Sequence, residues 1–102
     1  MEAAYYYESK SKPEVEKLLE DDFFKRLGPT DREAKLLGNK RESGFYLYVK
    51  AASEDKFTEA VKKIADSRIE LVKLTGEEEQ MVFDAIHKEE DEAAEGMGAI
   101  FG

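Results

Sequence analysis

The sequence predicts an α+β domain: a ferredoxin-like βαββαβ antiparallel sheet with two helices on one face, plus an appended acidic C-terminal helix and apolar tail. Three observations carry this expectation. Two aromatic-rich stretches, 3–8 and 44–51, have the composition of pleated, half-buried strands. Each is followed by apolar residues at helical spacing. The resulting order, β-α-β-β-α-β, is the split βαβ pattern, which places its first and third strands centrally and its second and fourth at the edges. Here the first and third are the strongest strands, and the other two are shorter or more polar.

The elements follow in order. Ala3 to Glu8 reads as the first strand. Ser11 opens a helix, with Glu14 at capping-box spacing and Pro13 tolerated in the first turn. Val15, Leu18, Leu19 and Phe23 form its apolar stripe, and Asp21 with Lys25 and Asp22 with Arg26 add i,i+4 pairs. Gly28-Pro29 ends it. Residues 30–43 have two readings. Thr30 and Glu33 again have capping-box spacing, which fits a short helix to Leu37. The preferred reading is an edge strand over Ala34–Leu37, turning through Gly38-Asn39-Lys40. Gly44 to Ala51 is the clearest strand, with Phe45, Leu47 and Val49 facing one side and Tyr46 and Tyr48 the other. Ser53 caps the next helix, with Glu54 and Asp55 in its first turn. Phe57, Ala60, Val61, Ile64 and Ala65 fit the apolar template of that helix. Ile69 to Leu74 reads as the last strand.

Residues 1–74 form the predicted body, and residues 75–102 a helix and tail packed on the same single domain. Thr75 opens this helix, with Glu78 at the capping-box position. Val82, Ala85, Ile86, Ala93 and Met97 fall on one side, and Asp84, Asp91, Glu92 and Glu95 on the other. Gly96 is expected to stop it.

Composition narrows the function classes. A chain of 102 residues suits one core. The absence of cysteine excludes disulfides, thiolate metal sites and cysteine nucleophiles. No basic region followed by an apolar stretch opens the chain and no apolar run reaches membrane-spanning length, so a cytoplasmic location is expected. Glu/Lys enrichment with few Asn and Gln is a thermophilic trait. The net charge of −8 resides in one place: residues 1–74 hold 15 acidic and 15 basic side chains, whereas residues 75–102 hold nine acids and one base, Lys88. Nucleic acid and anionic membranes are therefore not expected partners, since phosphate contacts need a basic surface.

Five features are candidates for chemistry. His87 has Asp84 and Asp91 one turn away on either side, a spacing that can ligate a divalent ion and equally suits an exposed helix with ordinary salt bridges. No metal or other cofactor is expected on this signal. The run Glu89-Glu90-Asp91-Glu92, with Glu95, opposes the dipole at a helix C-terminus, so it is either a fraying end or a docking face for a basic surface. The uncharged tail carrying Met97, Ile100 and Phe101 packs on its own body, exchanges with a second copy, or meets another protein. Tyr46 and Tyr48, with Tyr5, Tyr6 or Tyr7, can line a sheet face. RNA-binding domains stack bases there, but the neutral body lacks their electrostatic footprint, so structural or interface tyrosines are the default. Finally, no carboxylate pair stands out from the background, no serine sits in a nucleophile elbow, and no phosphate loop is present.

The expected function is a protein-interaction or regulatory module without catalytic activity, self-associating or meeting a protein partner. Its expected contact residues are Tyr46, Tyr48, Glu89, Asp91, Glu92, Glu95, Met97, Ile100 and Phe101. The rival is a small-ligand-binding or enzymatic domain with a pocket between the sheet and the last helix, lined by Tyr46, Tyr48 and His87. RNA binding through the sheet tyrosines is a further alternative.

Overall fold

The computed structural model describes residues 1–37 and 41–101, with side chains described up to residue 92. Strand β1, Glu2–Tyr7, is followed by helices α1, Lys12–Leu19, and α2, Asp22–Leu27. Strands β2, Thr30–Glu33, and β3, Phe45–Lys50, come next, then helix α3, Glu54–Asp66. Strand β4, Val72–Lys73, and helix α4, Gly76–Phe101, complete the chain. The four strands form one antiparallel sheet in the order β2-β3-β1-β4. The two aromatic strands are central, as the sequence predicts.

Alternation along the central strands divides the core into two layers. On one face Ala3, Tyr5, Tyr7, Leu47 and Val49 pack with Val15, Phe24, Ala60 and Ile64 of α1, α2 and α3. On the other face Ala4, Tyr46 and Tyr48 pack with Leu74 and with Val82 and Ile86 of α4. The expected split of β3 is what the structure has: Leu47 and Val49 on the first face, Tyr46 and Tyr48 on the second. Helix α3 also begins as expected, with the Ser53 hydroxyl accepting from the Lys56 amide at 3.2 Å. Of its expected stripe, Ala60 and Ile64 pack in the core with Phe57 against them, whereas Val61 is only partly buried and Ala65 is exposed.

Several expectations are corrected. The single helix from Ser11 to Gly28 is two. Asp21 leaves helical geometry (φ −58°, ψ 134°) and caps α2 through a bond from the Phe23 amide, 2.9 Å. The bend turns Phe24 fully into the core, and Asp21 pairs with Lys63 at 3.6 Å rather than with Lys25. Gly28, in the left-handed region at φ 72°, ends α2. At the start of α1, the Ser11 side chain makes no capping bond, so the Ser11/Glu14 box is not formed.

The edge strand lies at Thr30–Glu33, not at Ala34–Leu37, which is a 3-10 turn. Register is the reason. Thr30 lies opposite Tyr48 and Glu33 opposite Phe45, so the ladder runs out at Gly44, whose carbonyl accepts from Ala34. Gly44 has φ 87°, and a Cβ there would fall on the Tyr6 ring. The turn expected at Gly38-Asn39-Lys40 lies outside the described residues.

The last strand is only Val72–Lys73. Arg68 turns the chain at φ 62°, and the Leu71 amide bonds to the Ile69 carbonyl, so residues 69–71 do not join the ladder. Ile69 and Leu71 still pack against the first core layer. Lastly, α4 continues past Gly96 to Phe101. The side chains of Ala93, Glu95, Met97, Ile100 and Phe101 lie outside the described residues. No described helix is long and apolar enough to cross a membrane.

Candidate functional site

The second face of the sheet holds the densest polar cluster. Alternation in β3 sends two phenols, Tyr46 and Tyr48, under α4, where they are 1 % and 3 % exposed. A buried phenol needs a hydrogen-bond acceptor. Two carboxylates supply it from opposite ends of the chain. Glu78, in the first turn of α4, accepts from the Tyr46 hydroxyl at 2.6 Å and from both Nε and Nη2 of Arg41, the latter at 3.1 Å. Glu2, in β1, accepts from the Tyr48 hydroxyl and lies 2.8 Å from Nε2 of His87. A third tie joins Arg32 of β2 to Glu89 of α4 at 3.1 Å.

Aromatic contacts fill the space between these ties. The His87 ring stacks on Phe83 (centroids 6.5 Å apart, 21° between planes) and meets Tyr48 edge-on. The Arg41 guanidinium lies 3.8 Å over the Tyr6 ring, and Tyr6 meets Tyr46 edge-on.

Protonation follows from this geometry. Arg41 holds the Glu78 carboxyl below its usual value, against the raising effect of burial and with help from Tyr46. Burial pushes the Glu2 carboxyl up, but the bonds from Tyr48 and His87 outweigh it and leave the group below its usual value. Burial, then the carboxylate beside each hydroxyl, pushes Tyr46 and Tyr48 well above the ordinary phenol value. Carboxylates held ionised and phenols held neutral are set away from neutral pH, the opposite of a tuned acid/base pair. Chemically, this cluster fastens a helix to a sheet.

The first face has a counterpart. Tyr7 donates to both carboxylate oxygens of Asp31 at 2.8 Å, and the Lys12 ammonium contacts Asp31 while lying 4.4 Å over the Phe45 ring.

Of the expected metal residues, His87 is engaged with Glu2, Asp84 accepts from Gln80 at 2.8 Å, and Asp91 is exposed. No group of three metal-capable side chains occurs among the described residues. Of the expected contact residues, Tyr46 and Tyr48 lie under α4 rather than on an open face. Glu89 is tied to Arg32, while Asp91 and Glu92 face solvent. Glu95, Met97, Ile100 and Phe101 fall outside the described side chains. The sequence reading missed Glu2, Arg32, Arg41 and Glu78 as cross-links. The signal available for them was the pair of phenols on one strand face, each of which demands an acceptor once covered.

Compared with known protein families, with curated proteins and with solved structures, the chain matches none.

Proposed function

We propose that the protein is a self-associating protein-interaction module without catalytic activity, on a ferredoxin-like βαββαβ frame, that presents α4 and its apolar tail to partners. The frame is supported by the sheet order β2-β3-β1-β4 and by helices joining β1 to β2 and β3 to β4 over one face.

The observation that carries the functional reading is that the sheet offers neither face to a ligand, because each is covered by the chain's own helices. Base stacking on Tyr46 or Tyr48 would need α4 displaced, and a pocket lined by them would compete with Val82 and Ile86. Both outer strands are short, and β2 is charged, features that blunt pairing at an edge. Helix α4 is the element left to present. At 26 residues it is about 39 Å long, roughly twice the ~20 Å of a six-residue central strand. Its Asp84, Glu90, Asp91 and Glu92 are exposed. An acidic face followed by Met97, Ile100 and Phe101 suits a partner surface with basic residues beside an apolar recess.

Sedimentation equilibrium on the full chain and on a chain ending at Glu95 tests this. The expected result is a mass above the monomer for the full chain, weakening with added salt. The shorter chain returns to a folded monomer whose melting temperature, unlike that of the full chain, does not depend on protein concentration. A monomer in both cases contradicts self-association.

A further inference from the structure

Two departures from the sequence expectation meet at one place on the surface, on the opposite side of the sheet from α4. Ser11 stands at the N-cap of α1 but leaves its hydroxyl out of the cap. Arg68 follows α3 in the left-handed region, at φ 62°, where glycine is the favoured residue. With Lys10, Glu14 and Glu70 they line a groove of about 310 Å³.

The Ser11 residue is only 5 % exposed, yet its hydroxyl bonds to no described residue. No fully buried side-chain oxygen lacks a partner among the described residues, so this hydroxyl keeps an opening, and the groove is the surface that Ser11 lines. Lys10 and Glu70 pair with each other across the rim at 3.4 Å. That leaves one cation, Arg68, and one anion, Glu14, whose side chains form no ion pair or hydrogen bond with described residues. Backbone conformations unfavourable to a side chain are enriched where the side chain is used.

We infer that this groove is a binding site for a small zwitterion of the α-amino acid class. Arg68 receives the ligand carboxylate in its planar fork, the Ser11 hydroxyl donates to the same carboxylate, and Glu14 receives the ammonium. The mixed charge of the lining selects against a simple anion, because Glu14 and Glu70 would repel it. The groove is close to the smallest volume usual for a ligand site, about 300 Å³, which favours a small guest. The site is independent of the interaction surface proposed above.

The test is a titration of the ¹⁵N-labelled full chain with L-alanine, L-serine, L-glutamate and L-lysine, with N-acetyl-L-alanine and L-alaninamide as controls. The expected result is saturable movement of the Ser11 and Arg68 amide signals by at least one amino acid, with a dissociation constant on the order of a millimolar for so open a groove. Each control, lacking one charge, binds roughly tenfold more weakly or worse. Arg68→Gly relieves the backbone, so it melts no lower than the wild type, yet loses binding about tenfold. Glu14→Gln weakens the amino acid and leaves N-acetyl-L-alanine unaffected. Three results would each overturn the proposal: no response to any amino acid, equal binding of N-acetyl-L-alanine, or unchanged binding in Arg68→Gly.

Discussion

The two faces of the sheet are covered by different means. Against α1, α2 and α3 the sheet sets Ala3, Tyr5, Leu47 and Val49, and the layer is closed mainly by apolar packing. Against α4 it sets Ala4, Tyr46 and Tyr48, and the layer is closed by a short apolar stripe between carboxylate ties at Glu78 and Glu2. Apolar packing is indifferent to pH and nearly indifferent to salt, whereas phenol–carboxylate and guanidinium–carboxylate bonds need the carboxylate ionised. The chain therefore joins a layer closed mostly by apolar contacts, with a carboxylate tie at Asp31, to one whose attachment depends more heavily on conditions, and the latter is the helix carrying the protein's net charge.

Substitutions that separate the layers rank by size. Phe24→Ala removes a fully buried ring from the first layer and is expected to cost about 3–5 kcal/mol in denaturant unfolding. Glu78→Ala removes the acceptor of Tyr46 and a charge partner of Arg41, and is expected to cost about 1–3 kcal/mol. Its signature is greater amide exposure in α4 than in α3. Ser53→Ala, which removes the α3 cap, should cost about 1 kcal/mol and loosen the first turn of α3 alone. Arg32→Ala cuts an exposed tie to Glu89 and should cost no more than about 1 kcal/mol, an effect that disappears at high salt. A Glu78→Ala cost shared equally by both helices would erase the distinction between the layers.

Local rules made much of this fold legible. The alternation Phe45-Tyr46-Leu47-Tyr48-Val49 gave both faces of the central strand, and Ser53 with Phe57, Ala60 and Ile64 gave α3 and its inner stripe. What local rules hid was set by distant contacts. The break at Asp21 depends on Phe24 reaching the core, and the place of β2 on its register with β3. The strand at 69–74 was cut short by Arg68, in a conformation that nothing in its neighbours announces. The clasp was the least legible part. Glu2 and His87 are 85 positions apart, so only a folded sheet reveals that His87 and Tyr48 share the Glu2 carboxylate. His87 was picked out for its neighbours Asp84 and Asp91, and its actual partner came from the other end of the chain.

Acid separates the layers more sharply than alkali. Glu2 and Glu78 have folded pKa values below the usual 4.5, so their contribution is present above that value and lost as pH falls through the lowered folded values. Tyr7, Tyr46 and Tyr48 are raised above 10.0, so their contribution is present below pH 10.0 and lost above it, on both faces together. The decisive measurement is native-state hydrogen exchange between pH 7 and pH 3.5, corrected for intrinsic rates, following the Val82–His87 amides of α4 and the Ala60–Ile64 amides of α3. Opening of α4 should become easier below about pH 4.5 while α3 keeps its protection. Parallel loss in both helices, or an α4 indifferent to acid, would contradict a helix fastened by its carboxylates.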